Sequence, residues 1–334
     1  MSTENPSAVM LRLVQGAWVT QSLYAVATLG VADHLTDGPR TSAELAAATG
    51  AHADSLHRVL RYLVSLGVFA GDDASGFRLT PVGELLRSDV PGSARDRALM
   101  YGTYNYRAFA ELLHTVRTGE TAFDHVFGMQ AYQYIGEHPE IARSFDRQMQ
   151  TGGSFFAHLA EQYDFSGAQT VVDVAGGNGT LLATLLTAVP ELRGILLDAG
   201  HVIEAARDNL RTQGVLDRCE LVAGSFLDAV PEGGDVYTLS RILHNWDDET
   251  CGRILERCHA AMDANATLLV LERLIPEDGS PSVAQASDIN MLAVFGGRER
   301  TATEFRTLLD KAGFDLSGQR ELPPDTAVLV ARRR

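Results

Sequence analysis

The chain has 334 residues, room for about two domains, and its 45% hydrophobic and 21% charged residues give it the composition of a globular protein, not a disordered or fibrous one. Twenty-eight Lys and Arg against 43 Asp and Glu leave a formal charge of −15, which repels a phosphate backbone and argues against nucleic acid as a partner. The three cysteines, Cys219, Cys251 and Cys258, form no C-x-x-C pair and are odd in number, so neither a disulfide framework nor a zinc site is expected and a reducing cytoplasm fits.

From Ala8 to Val31, apolar residues recur near every fourth position (Val9, Leu13, Ala17, Leu23, Ala27), which predicts one long helix ending near Gly30. The apolar stretch Trp18 to Leu35 is interrupted by Thr20, Gln21, Ser22, Thr28 and Asp33 and lacks a basic flank, so neither a signal peptide nor a membrane span is expected. Thr41-Ser42-Ala43-Glu44 has the capping-box spacing and opens a helix that stops near Gly50; a second helix runs from Ala53 to Leu66. Gly67 to Phe69 and Phe77 to Thr80, separated by a polar turn, read as a short hairpin. Helix, turn, helix, hairpin is a winged-helix arrangement, and residues 1–95 are read as one domain. The same design binds DNA in regulators, but the candidate recognition helix offers only His57, Arg58 and Arg61 against Asp54, a poor phosphate-binding face. Residues 96–165 read as a helical section rich in aromatics, most of them helix–helix packing residues and a minority available to line an aromatic-ligand pocket.

After Gly167 the pattern changes to short apolar runs alternating with helices. Strands are expected at 170–174, 194–197, 220–223, 236–239, 267–271 and 327–331, with helices at 180–188, 202–213, 249–262, 284–295 and 303–312. Strands alternating with helices imply a parallel, doubly wound α/β sheet over residues 166–334.

In such a sheet, ligands bind at the carboxyl ends of the strands. The first strand runs Val171-Val172-Asp173-Val174 into Ala175-Gly176-Gly177-Asn178-Gly179, whose glycines allow close approach of a bulky ligand. Asp198 ends the second strand, where a carboxylate can accept hydrogen bonds from both hydroxyls of a ribose. Both NAD and S-adenosylmethionine carry such a ribose. The loop lacks the third glycine of G-x-G-x-x-G, and Asp173 suits a cationic amino-acid moiety, directly or through water, so S-adenosylmethionine is favoured over NAD. After the third and fourth strands come Gly224-Ser225-Phe226 and Ser240-Arg241. Phe226 is placed to stack on an adenine, with Ser225 for a polar contact to its edge.

Together with Leu243-His244-Asn245-Trp246-Asp247-Asp248, Glu272-Arg273 and Gly296-Gly297-Arg298-Glu299-Arg300-Thr301, these residues resemble the S-adenosylmethionine-dependent small-molecule O-methyltransferases of plants and actinobacteria over nearly the whole chain. The resemblance implies a class I methyltransferase (Rossmann-like) domain, an N-terminal winged-helix domain that makes a homodimer, and cofactor contacts at Asp173, Gly176, Gly177, Gly179, Asp198, Ser225, Phe226, Ser240 and Arg241. The chain departs from the family pattern at Ala175, where a third consecutive glycine is usual, and at Ser225 and Asn245, where many members have aspartate.

A phenol with a pKa near about 10 is barely ionised at neutral pH, and a histidine, with a reference pKa near about 6.5, is matched to taking its proton during attack on a methyl group. His244, just past the fourth strand, is the candidate general base, and Glu272 resembles the family carboxylate that orients it. Asn245, Asp288, Met291 and Phe295 are the candidate substrate contacts, the substrate being a small aromatic phenol of polyketide or related origin. Asp247-Asp248-Glu249 has a metal-like look, but acidic residues in a first helical turn favour the helix dipole, and no metal is expected. A relative that uses bound S-adenosylmethionine without simple methyl transfer is the alternative reading.

Overall fold

The computed structural model describes residues 5–151 and 155–334, so residues 152–154 of the expected helical middle section lie outside the description. Two units result, one of residues 1–113 with 125–152 and the other of residues 114–124 with 153–334.

In the first unit the long helix expected from Ala8 is two helices, Pro6–Val14 and Gly16–Thr28. Apolar periodicity carries across the break, but Gln15 leaves the helical region at φ −80° and ψ 2°, and Gly16 beside it has little helix preference of its own. The capping box forms as the spacing demands: Thr41 Oγ1 accepts from Glu44 N–H, and Glu44 accepts from Thr41 N–H at 2.8 Å, starting the helix Ser42–Thr49. Gly50 ends it in the left-handed region at φ 70°. The helix Ala53–Ser65 and strands β1 (Phe69–Ala70) and β2 (Arg78–Leu79), paired antiparallel, complete the expected order. Leu45, Leu60, Leu63, Phe69 and Phe77 bury a common core. Further along, Tyr134 packs on Phe127 with ring centroids 4.7 Å apart and stacks on His138 at 4.1 Å, so these aromatics are helix-packing residues.

The second unit is a seven-stranded sheet with helices: β3 (Thr170–Val174), β4 (Arg193–Asp198), β5 (Cys219–Ala223), β6 (Val236–Ser240), β7 (Thr267–Glu272), β8 (Phe314–Leu322) and β9 (Thr326–Arg333), in the order β5-β4-β3-β6-β7-β9-β8. The strands β5 to β7 in that order are parallel. β9 pairs antiparallel with both β7 and β8, so it alone runs against the other six strands, and the expected wholly parallel sheet is broken at that strand. β8 was not expected: among its residues only Phe314 and Leu322, at the two ends, are buried, because it is an edge strand with a polar middle and a register shift between Leu316 and Gly318. At the centre, every residue of β7 is buried, as a strand covered on both faces requires. The first sheet helix, Thr180–Ala188, drives Leu181, Leu182, Leu185 and Leu186 into one side of the sheet, and Asp248–Ala261 and Ala302–Lys311 cover the other with Ile254, Leu255, Phe305 and Leu309. The helix expected from Ala284 to Phe295 is the α-helix Val283–Asn290 followed by a π-helical turn, Met291–Phe295, with Gly296 N–H bonded to Met291 O at 2.8 Å. No described helix is long and apolar enough to cross a membrane.

Candidate active site

The order β4-β3-β6 reverses the chain direction of sheet growth at β3, and the crevice outside the carboxyl ends of these strands is where such folds bind ligands. β3 delivers Asp173 to that edge. Its side chain is fully buried; Oδ1 accepts from Thr238 Oγ1 on the neighbouring β6 at 2.7 Å, and Oδ2 has no hydrogen-bond partner. Burial pushes the Asp173 carboxyl up to about 7, against the lowering effect of the Thr238 bond and with help from the charge of Asp198. Gly176 lies against it: a Cβ there would fall 2.6 Å from Asp173 Oδ2 and 2.9 Å from Leu196 Cγ, so no larger residue fits. Gly177 and Gly179 hold left-handed conformations at φ 58° and 75°, and a Cβ on Gly179 would fall 3.1 Å from Leu196 Cδ1 and 3.2 Å from Leu210 Cγ.

Asp198, at the end of β4, accepts from Gly177 N–H at 2.8 Å through Oδ2 and from Ala199 N–H at 2.7 Å through Oδ1. It ties the glycine loop to the next strand and keeps lone pairs for two further donors. An orphaned buried carboxylate oxygen, a glycine at position 176 with no room for a Cβ and a second carboxylate with spare acceptor capacity fit a ligand that carries both an ammonium and a ribose, as S-adenosylmethionine does. Phe226 is half-buried and meets Trp246 edge-on, with centroids 6.1 Å apart. Ser225 is exposed and its hydroxyl accepts from Leu227 N–H at 3.2 Å.

Two non-glycine residues have positive φ among the described residues: Ala175 after β3 and Arg241 after β6, both at φ 58°. Such conformations cost of order 1 kcal/mol each and cluster at functional sites; here they sit at the carboxyl edges of adjacent strands. Arg241 was expected at the cofactor. Its guanidinium lies over the Phe155 ring at 5.4 Å and donates to Thr326 Oγ1 at 2.7 Å, with Asp325 at 3.4 Å. Burial and the positive Arg273 nearby lower its pKa, while Glu272, Asp325 and Glu299 act to raise it. Ser240, the last residue of β6, is half-buried beside Leu271 of β7.

His244 lies in a single 3₁₀ turn, Leu243–Asn245, immediately beyond β6, and its side chain is 12% exposed. Glu272, the last residue of β7, is wholly buried. Sequence reasoning gave Glu272 the part of holding the imidazole. In the structure Glu272 Oε1 accepts from the backbone N–H groups of Leu243 at 2.9 Å and His244 at 3.4 Å, while its Oε2 stands 4.0 Å from His244 Nδ1. The hydrogen bond to the ring goes to Glu299, whose Oε1 lies 3.1 Å from Nδ1. Glu272 therefore positions the backbone of the turn, and Glu299 the ring. Glu299 is held by Ser287 Oγ at 2.6 Å, and its own N–H is bound by Asp288 Oδ1 at 2.9 Å. Asp288, expected at the substrate, is committed to that amide. Met291 is buried, while Phe295 is half-buried; the Asn245 side chain donates to Arg241 O at 3.2 Å.

The two buried carboxylates divide their tasks electrostatically. Burial raises the Glu272 pKa, with the Glu299 charge adding to the rise and the His244 charge opposing it. Burial also pushes Glu299 up, but the His244 hydrogen bond and charge, the Ser287 hydroxyl and Arg241 outweigh it and the net shift is downward. Glu299 thus carries the negative charge beside the ring. With an acceptor on Nδ1, the neutral ring keeps its proton there and Nε2 carries the lone pair. His244, Glu272 and Glu299 each bring a potential ligand atom to within 4.8 Å of the others.

A Rossmann-like sheet with this glycine loop, the orphaned acid and a carboxylate-backed histidine defines a class I methyltransferase. A family model of the O-methyltransferase domain matches residues 109–315 and one of the O-methyltransferase dimerisation domain matches residues 11–89. The chain belongs to this family of S-adenosylmethionine-dependent O-methyltransferases. It is 45% identical to the 3-amino-4-hydroxybenzoate 4-O-methyltransferase of Streptomyces cremeus over 97% of this chain and 90% of that one. Among solved structures, LaPhzM matches at TM-score 0.92 and 43% identity over 99% of this chain and 100% of that one. NcsB1, from neocarzinostatin biosynthesis and in complex with S-adenosylmethionine and 2-hydroxy-5-methyl naphthoic acid, matches at TM-score 0.84 and 36% identity, covering 95% of this chain and 96% of that one. Relatives also include N-methyltransferases, such as the phenazine-1-carboxylate N-methyltransferase of Pseudomonas aeruginosa, 34% identical over the full length of both chains.

Proposed function

We propose that the protein transfers a methyl group to a phenolic hydroxyl of an aromatic secondary metabolite and that His244 is the general base. The observation that carries this reading is the hydrogen bond from His244 Nδ1 to the ionised, buried Glu299, because it leaves Nε2 as the basic atom of a ring that is still partly open to a ligand. Methylation of an aromatic amine or ring nitrogen has less need of a base, and a dedicated histidine with two supporting glutamates favours the oxygen acceptor. S-adenosylmethionine, when bound, supplies a methyl group on a sulfonium, an electrophile with its own leaving group. Asp173 and Asp198 would hold its ammonium and ribose, with Gly176, Gly177 and Gly179 giving backbone access. What remains for the protein is to orient the phenol and remove its proton. As the phenol oxygen attacks, its proton passes to Nε2, and the imidazolium that forms is stabilised through Nδ1–H by Glu299. General-base assistance of this kind is worth about 10² to 10⁴ in rate.

Names of relatives point to carboxylated one- and two-ring phenols as the substrate class. Incubation with methyl-labelled S-adenosylmethionine and a panel of hydroxybenzoates, hydroxynaphthoates and their amino analogues should label oxygen, located by mass spectrometry and NMR. Label found only on nitrogen across the panel would overturn the assignment. A homodimer is part of this reading. The N-terminal helices leave Leu11, Leu13, Val14 and Trp18 largely exposed within a segment that matches a dimerisation domain. Sedimentation should give about twice the 36.1 kDa chain mass, and a stable, active monomer would contradict it.

A further inference from the structure

We propose that Arg300 is a positioning residue for the reaction: its guanidinium clamps the turn that carries His244, and so fixes the imidazole against Glu299. The inference rests on the general-base reading above and extends it to a residue buried behind the histidine's turn.

Arg300 is the largest fully buried side chain described, at 1% exposure. A guanidinium has five N–H donors. Each has a partner here: Nε reaches Asp248 Oδ1 at 3.1 Å, one terminal nitrogen reaches Leu243 O at 2.9 Å and Arg298 O at 3.3 Å, and the other reaches Trp246 O at 2.8 Å and Asp248 Oδ1 at 2.8 Å. Leu243 and Trp246 bracket His244 and Asn245, so a single rigid plane grips the turn on both sides of the histidine. Adjacent residues of the same segment complete the grip. Arg298 N–H donates to His244 O at 2.8 Å, and Gly297 approaches so closely that a Cβ on it would lie 2.1 Å from that same oxygen. Glu299, which bonds the imidazole, lies between the two arginines in sequence. Ring and turn are thus located by one stretch, 297–300, whose far end is tied to the sheet edge through Ile275 N–H to Arg300 O at 3.0 Å.

An arginine that only stabilised the fold would need no such division of its donors between the two sides of one catalytic residue. Lysine has three donors on a point charge and cannot reproduce the fork. Arg300→Lys keeps the charge and most of the packing, yet it releases at least one of the two carbonyls. A misplacement of about 1 Å at a reacting group costs on the order of 10²-fold in rate.

The test is a double-mutant cycle of Arg300→Lys with His244→Ala, measured as single-turnover methyl transfer on the best-methylated phenol of the panel, with S-adenosylhomocysteine affinity measured by calorimetry on the same proteins. Arg300→Lys is expected to lower the rate about 10- to 100-fold with cofactor-product affinity within about twofold, and to have under about threefold effect once His244 is alanine. A loss of equal size in both backgrounds, or parallel losses of rate and S-adenosylhomocysteine affinity, would overturn the clamp and leave the base assignment standing. Full activity of His244→Ala alone would sink the base assignment and the clamp with it. Should Arg300→Lys fail to fold, Asp248→Asn carries the same cycle. It weakens only the exposed end of the clamp and is expected to lose about 3- to 10-fold in rate, again only when His244 is present; an unchanged rate in that variant would count against the clamp.

Discussion

Binding of S-adenosylhomocysteine should release a proton near neutral pH, and Asp173 is the source. Buried and with Oδ2 unpartnered, Asp173 has its carboxyl pushed up to about 7 from a reference of 3.8. About 3 units correspond to some 4 kcal/mol of differential stability between the two protonation states, an order-of-magnitude figure. The sign is that of a raised acid: its contribution to stability is complete below about pH 4 and is lost as pH rises through about 7, so the ligand-free protein should become less stable over that interval. A ligand ammonium reverses the preference by pairing with the charged form. At pH 6 only about one-tenth of the carboxyl is ionised beforehand, so binding should release nearly one proton, falling to about one-tenth of a proton at pH 8. Affinity should rise up to about tenfold per pH unit below 7 and level off above it. Calorimetry in buffers of different ionisation enthalpy measures the release directly. Asp173→Asn should abolish it and weaken binding most at pH 8. No proton release at pH 6, with affinity flat from pH 5.5 to 8, would refute both the titration and the placement of the ammonium at Asp173.

Glu299→Gln should lower kcat by about 5- to 15-fold, because a charge-assisted hydrogen bond of about 1.5 to 3 kcal/mol is replaced by a neutral one of about 0.5 to 1.5 kcal/mol. Glu272→Gln should cost less, since Gln still accepts from Leu243 N–H and the ring's hydrogen bond to Glu299 is untouched. Steady-state kinetics on both variants checks the order, and a greater loss for Glu272→Gln would reverse the division of labour between them. Gly297→Ala places a methyl group into His244 O and Asn245 and should cost on the order of 10²-fold in rate with S-adenosylhomocysteine affinity retained. Wild-type turnover of that variant would show that the turn has no need of its present position.

The cluster proposed to hold the cofactor was legible as a cluster because it is local. Asp173, the glycines and Asp198 fall within one β-α-β unit, where spacing alone puts them at one strand edge, and Gly177 N–H to Asp198 is the contact that spacing implies. Glu299 was different. It is 55 positions from His244, and the segment 296–301 stood out only as part of a family resemblance; its role depends on how a π-helical turn and a left-handed Gly296 swing the chain back over the histidine. Periodicity does not encode such a return. Asp288 was placed on the right helix, but its partner is a backbone amide, which no side-chain pattern announces. The missed β8 and the split of the first helix share another cause: a polar edge strand has almost no hydrophobic signal, and a helix can break at Gln15-Gly16 without disturbing the apolar repeat around it.

The central claim is that His244 acts as a base. Its most direct test is methyl transfer by His244→Ala under single-turnover conditions across pH, with the cofactor saturating and the best phenol of the panel. His244→Ala is predicted to lower the rate by about 10² to 10⁴ at every pH with S-adenosylhomocysteine affinity within about twofold of wild type. Transfer near the wild-type rate, with the chemical step shown to limit it, would contradict the account and leave proximity alone to explain catalysis.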